Sequence, residues 1–125
     1  MIILGKLAAA TLVIAVTTAP MLEPSALRQL STQQRNAAAQ AYAQSATNCV
    51  ARAVAANARF RRDDPASNLG DLIEASMPKC LGPVRAMMDA YDLYFGDGMG
   101  ERFFTGPYLD ALPSIVVKLI TDAAD

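Results

Sequence analysis

Three kinds of side chain in this 125-residue sequence are candidates for a reactive or binding role: two cysteines, a set of carboxylates and a group of aromatic rings. The chain contains no histidine, so it lacks the usual general base near neutral pH, and a Ser-His-Asp triad is excluded. Its length allows one compact domain, and 53% apolar residues suffice for a hydrophobic core. Multidomain enzymes and disordered proteins are therefore excluded.

The cysteines Cys49 and Cys80 are 31 positions apart, unlike the pair of a C-x-x-C redox site. Two cysteines in a small exported chain usually form a structural disulfide in an oxidising compartment. We therefore predict a Cys49–Cys80 bridge, the alternative being two buried free thiols.

Four carboxylates, Asp89, Asp92, Asp97 and Glu101, lie close together in the sequence and offer the oxygen ligands that a hard cation such as Ca2+ takes. Their spacing fits no EF-hand loop, because a loop that started at Asp92 would place Phe103 at its final position. We predict neither a metal nor a cofactor. Carboxylates between Asp92 and Glu101 could still serve as acid and base in a small hydrolase-like enzyme, which is the alternative function.

Six of the eight aromatic residues fall within 18 positions near the C-terminal end. They are Tyr91, Tyr94, Phe95, Phe103, Phe104 and Tyr108. Large rings can build the core of a small domain, and they also enrich the centres of recognition surfaces. Both interpretations stay open, and this group is the candidate binding patch.

The N-terminal residues 1–22 are typical of an export signal, with Lys6 followed by the apolar run 7–16 and then small residues. Pro20 would obstruct cleavage after Ala19, so an uncleaved membrane anchor is the alternative. We expect residues 23–125 to form a single helical domain with a periplasmic or secreted location.

The next segment, 25–62, contains neither glycine nor proline and is rich in alanine, which predicts one long helix. Helical spacing gives this helix a stripe of mostly small side chains: Ala38, Ala41, Ser45, Cys49, Ala53, Ala56 and Phe60. A polar connection follows, and Asn68 with Asp71 predicts a capped start of the next helix.

The cysteines lie symmetrically about this connection, since Cys49 is 12 residues before Arg61 and Cys80 is 12 residues after Asn68. In an antiparallel pair of helices they would be level. Prolines at 78 and 83 predict a kink or a short non-helical step from Pro78 to Gly82.

The remainder predicts two shorter helices. One runs from Pro83 to a stop at Gly96, and the last begins at Pro107 or Pro113. The glycine-dense segment between them predicts turns around a short helical stretch at 101–104. The predicted fold is all-α: a disulfide-stapled antiparallel helical hairpin followed by two shorter helices.

Charge is distributed unevenly: residues 23–62 carry six Arg and one Glu, a net of +5, and residues 63–125 carry eleven acids and four bases, a net of −7. Helix-dipole effects and internal pairing can account for this, with Arg59, Arg61 and Arg62 at the C-terminal end of the long helix. A basic surface for an anionic partner is the alternative.

We expect no nucleic acid partner, since the overall charge of −1 and the predicted export both disfavour one. Because the sequence shows no recognisable set of catalytic residues, we expect a non-catalytic binding protein. Its expected partner is a protein or a cell-envelope component. If residues 1–22 are not cleaved, they could also tether the protein to a membrane.

Overall fold

The structure, a computed structural model, describes residues 29–123. The predicted export signal or anchor at residues 1–22 lies outside the described residues. Within 29–123 the chain is helical with no strand, and it forms one small domain of three helical segments. The predicted all-α fold with a helical hairpin and two shorter helices is confirmed.

The first segment is helix α1, Thr32–Ala56. It begins at a capping box, in which the Ser31 hydroxyl accepts from the Gln34 backbone N–H at 3.1 Å and the Gln34 side chain accepts from the Ser31 N–H at 3.0 Å. The helix ends at Asn57, whose backbone is extended and whose side-chain oxygen accepts from the Arg59 N–H at 2.9 Å. This local turn competes with the helix.

The predicted helix at 25–62 is therefore too long at its C-terminal end, and residues 29–31 are not helical either. Arg59, Arg61 and Arg62 lie in the loop after α1 rather than in its last turn. Their charges consequently do not act on the helix end as the sequence suggested.

The second segment consists of α2 (Leu69–Ser76), a 3-10 turn (Met77–Cys80) and α3 (Leu81–Phe95). The 3-10 turn interrupts the α-helix at Pro78 as predicted, since proline cannot donate an α-helical hydrogen bond, but Leu81 and Gly82 already belong to α3. Asn68 precedes α2 as predicted, but its backbone is left-handed (φ 58°) and its side chain makes no capping bond. Asparagine tolerates this conformation, so Asn68 acts through its backbone.

The third segment consists of α4 (Met99–Phe103), a π-helical turn (Phe104–Tyr108) and α5 (Leu109–Ala123), which follow one another without a break. The predicted starts of the last helix at Pro107 or Pro113 are wrong, because Pro107 lies in the π-helical turn and Pro113 inside α5. In the glycine-dense segment that precedes α4, Gly96 and Gly98 adopt a positive φ and form the turn.

By length and composition alone, residues 99–123 could also cross a membrane, a test that core helices of soluble proteins pass as well. Here Leu112, Val116 and Ile120 of α5 are buried in the domain core. That packing accounts for part of the apolar character of this segment.

The core lies around α1, which contacts α2, the 3-10 turn, α3 and α5. The largest of the fully buried side chains come from all three segments: Val50, Val54, Leu72, Cys80, Met87, Leu112 and Val116. The predicted stripe of small side chains is not the face of α1 that packs in the core, since Ala41 and Ser45 are exposed. Valine buries more apolar area than alanine or serine, so α1 turns its valine face inward and Cys49 lies at the edge of that face.

The Cys49–Cys80 disulfide is confirmed and joins α1 to the 3-10 turn, with the two Cα atoms 5.9 Å apart. The Cys80 side chain is fully buried and Cys49 is half-buried. The bridge thus fixes the second segment at its interruption, where the backbone hydrogen bonding is least regular.

Reduction of the disulfide should destabilise the fold strongly. The bridge closes a loop over a separation of 31 residues, which the chain-entropy model values at about 3 to 4 kcal/mol of unfolding free energy. We expect urea denaturation of reduced protein to show that loss, with Tm lower by at least about 10 °C. Equal midpoints for the oxidised and reduced forms would contradict it.

Replacement of Gly100 by alanine should destabilise the contact between α3 and α4. A Cβ at Gly100 would overlap the Met88 carbonyl group, which is backbone and cannot rotate away. We expect Gly100→Ala to lower the free energy of unfolding by about 1 to 3 kcal/mol. Gly82→Ala is the matched control, because no neighbour lies within 4 Å of its Cβ; a similar loss there would show that the effect is not the contact with Met88.

Candidate functional site

A concave surface forms a groove of about 570 Å3 between α1 and the third helical segment. This volume lies in the usual range for ligand sites, about 300 to 1,000 Å3. Tyr91 from α3 also lines it. We call this surface the amide groove after the residues of its α1 wall.

The α1 wall carries four carboxamide side chains at intervals of four residues: Asn36, Gln40, Gln44 and Asn48. Residues four apart lie one above the other on a helix, so the amides form a row, here called the amide ladder. All four residues are exposed. Each carboxamide can donate and accept hydrogen bonds, so the wall is polar and uncharged.

The floor of the groove is aromatic and comes from Tyr91, Phe103 and Tyr108. Tyr91 and Phe103 stack with their ring centres 3.8 Å apart and their planes 7° apart. Phe103 also contacts Tyr108, with ring centres 5.7 Å apart. These contacts link α3 to the π-helical turn and hold the rings in a fixed arrangement.

Tyr108 is 6% exposed, and its hydroxyl lies 3.1 Å from the Thr47 hydroxyl. The single Thr47 proton is already donated to the Ala43 carbonyl at 2.7 Å, so Tyr108 is the donor to Thr47. Burial raises the pKa of the Tyr108 phenol above its ordinary value, and burial raises the pKa of Tyr91 as well. The base of the groove therefore stays neutral at physiological pH.

The opposite wall is apolar and comes from Pro107, Ala111, Ile115 and Leu119. Ala111, Ile115 and Leu119 are spaced four residues apart in α5. They lie beside the buried residues Leu112 and Val116 of the same helix. Ile115 remains 43% exposed. The groove thus has one amide wall, one aliphatic wall and an aromatic floor, and no charged residue lines it.

The structure divides the predicted aromatic patch. Tyr91, Phe103 and Tyr108 line the amide groove, whereas Tyr94, Phe95 and Phe104 do not. The Phe95 ring lies below the Arg35 guanidinium at 5.7 Å, and Arg35 also donates to the Tyr94 carbonyl at 3.5 Å. Phe104 packs beside Tyr108 and against the core.

The candidate carboxylates are also separated in their roles. Asp92 accepts a hydrogen bond from the Gly100 backbone N–H at 2.8 Å, so it caps the start of α4 from the preceding helix. Asp89, Asp97 and Glu101 are exposed. Among residues 29–123, no three Asp, Glu or Cys side chains are grouped as a metal site would require.

A second concavity of about 370 Å3 adjoins the amide groove and shares Asn48 and Leu119 with it. Arg52 and Arg62 lie on its rim. Within residues 29–123 the ion pair that forms is the exposed Arg61–Asp63 contact at 3.0 Å. Internal pairing in this part of the chain therefore does not account for the charge asymmetry of the sequence.

The sequence indicates the groove through a spacing of polar and apolar residues that the aromatic cluster does not include. Asn36, Gln40, Gln44 and Asn48 repeat at the helical spacing of four, as do Ala111, Ile115 and Leu119. Neither row shows by itself that the two face each other, because that depends on how α5 packs on α1. Comparisons with protein-family models, curated proteins and solved structures find no match.

Replacement of Tyr108 by phenylalanine should remove one buried hydrogen bond. It should also reduce the loss of folding stability at alkaline pH. We expect a loss of about 1 kcal/mol in the free energy of unfolding at pH 7. A phenol whose pKa is raised by folding stabilises the fold below about pH 10, and this contribution is lost as pH rises through the folded pKa.

Urea denaturation between pH 7 and 11 measures both effects, and Tyr108→Phe should lose less stability than the wild type across the alkaline range. Tyr42→Phe is the control, because Tyr42 is 44% exposed. A Tyr108→Phe profile with the wild-type slope and midpoint would contradict the assigned hydrogen bond.

Proposed function

We propose that this chain is an exported, non-catalytic binding protein that holds an extended, uncharged peptide segment of a partner protein in the amide groove. The observation that carries the proposal is the amide ladder, which lines the same groove as the aromatic floor. A peptide backbone has one N–H and one C=O at nearly every residue, and both need partners when they leave water. A row of carboxamides can supply both kinds of partner.

The spacing of the amide ladder matches an extended chain. Residues four apart in a helix are separated by about 6 Å along its axis. In an extended strand, groups two residues apart are separated by about 6.6 to 6.8 Å. From Asn36 to Asn48 the helix therefore advances about 18 Å and three strand repeats advance about 20 Å, a difference that rotation of the amide side chains can accommodate.

The floor and the opposite wall favour particular side chains in the bound segment. In an extended peptide alternate side chains point to opposite sides, so every second residue would face the rings and the aliphatic wall. Tyr91 and Phe103 offer stacked ring surface, and Ile115 and Leu119 offer aliphatic surface. The absence of charge on the lining favours an uncharged segment, because a buried ion without a partner is unfavourable.

The described residues give more support to binding than to catalysis. Asp92, one of the carboxylates of the hydrolase alternative, is engaged in capping α4. The rings that line the groove are held by stacking and by the hydroxyl pair of Tyr108 and Thr47. A preformed surface of this kind loses little side-chain entropy on binding.

The proposed address is the periplasm or the outside of the cell. An intramolecular disulfide is typical of an oxidising compartment, and the sequence of residues 1–22 is typical of an export signal or anchor. The partner would then be a protein of the same compartment.

Selection from a displayed library of random heptapeptides tests the proposed groove. We expect selected peptides to be uncharged, with apolar or aromatic residues at alternate positions, and to shift the amide NMR signals of residues 36–48 and 107–119. Affinity should fall about tenfold in the double variant Gln40→Ala and Gln44→Ala, since each lost hydrogen bond contributes about 0.5 to 1.5 kcal/mol.

Gln33→Ala is the matched control, because Gln33 is an exposed amide on α1 outside the groove. Selected peptides that bind the double variant as well as they bind Gln33→Ala, or that shift signals elsewhere, would contradict the proposal. Hydrolytic turnover abolished by Asp97→Asn or Glu101→Gln at unchanged stability would support the enzyme alternative instead.

A further inference from the structure

The second concavity, here called the arginine pocket, combines an aliphatic floor with two cationic side chains. Its lining consists of Asn48, Ala51, Arg52, Ala55, Arg62, Leu119, Ile120 and Ala123. We infer that the arginine pocket binds a single-chain alkyl carboxylate, with the carboxylate between Arg52 and Arg62 and the chain along α5.

The two arginines line the pocket from different elements. Arg52 belongs to α1, and Arg62 belongs to the loop that follows it. No Asp or Glu lines the pocket, and within residues 29–123 neither arginine has a carboxylate partner within 4.0 Å. Two arginines that line one pocket create a local preference for an anion, which guanidinium groups can bind through charge-assisted hydrogen bonds.

The floor below the arginines determines the rest of the ligand. It is formed by alanines and by Leu119 and Ile120, with no aromatic ring. Such a surface favours an alkyl chain, because it provides apolar contact but no ring on which a planar group could stack. The volume of about 370 Å3 lies near the lower end of the range for small-molecule sites, which favours one chain over a two-chain lipid.

This inference goes beyond the proposed peptide groove and can succeed or fail without it. Asn48 and Leu119 belong to both concavities, whereas Arg52 and Arg62 line only the arginine pocket. Variants of Arg52 and Arg62 therefore test alkyl carboxylate binding separately from peptide binding. Peptide binding depends instead on Gln40 and Gln44, which do not line the arginine pocket.

NMR titration of the full chain with octanoate tests the inference, with octanol, octylammonium and octyl phosphate as comparison ligands. Octanoate should shift the backbone amide signals of residues 51–55 and 119–123. Arg52→Gln and Arg62→Gln should each weaken octanoate binding about fivefold, the size expected for a partly exposed charged contact. Arg59→Gln is the control, because Arg59 is an exposed arginine of the same loop outside the pocket.

Stronger binding of octanoate than of octanol, with no measurable binding of octylammonium, would support the inference. It would be overturned by equal binding of octanoate and octanol, by unchanged affinity in both pocket variants when their NMR spectra show a native fold, or by shifts confined to residues 36–44. Stronger binding of octyl phosphate, lost in the same variants, would also overturn the carboxylate assignment.

Discussion

The structure depends on the packing of a single helix, α1, against both of the other helical segments. Its valine face fills the core, the edge beside that face carries Cys49, and another face carries the amide ladder. Small side chains elsewhere on α1 allow close neighbours, but they bury little apolar area per residue. The disulfide compensates by removing conformational freedom from the unfolded chain, because it ties α1 to the irregular 3-10 turn.

The overall fold could be predicted because its determinants are local or are covalent in origin. The alanine-rich composition predicts α1, Pro78 predicts the interruption of the second segment, and the equal distances of Cys49 and Cys80 from the loop predict their pairing. The helix ends were predicted less well. They depend on single side-chain hydrogen bonds, such as that of the Asn57 side chain with the Arg59 N–H, which compete with helix continuation over one turn.

The site was predicted only in part, for a geometric reason. Aromatic clustering indicated Tyr91, Phe103 and Tyr108, but the groove exists because two rows on different helices face each other. The π-helical turn contributes to this arrangement, since it contains Tyr108 and leads directly into α5. A π-helical turn changes the face on which later residues lie, so a helical pattern read from the sequence of α5 does not show which stripe packs on α1.

A covalent bond between α1 and the 3-10 turn holds this arrangement together. Mass spectrometry tests most directly whether that bond is present. Cells are lysed in denaturant with excess iodoacetamide, so that even the buried Cys80 would react if it were a free thiol. We expect an unmodified chain without prior reduction, and alkylation of both Cys49 and Cys80 after reduction. Alkylation of both cysteines without reduction would contradict it.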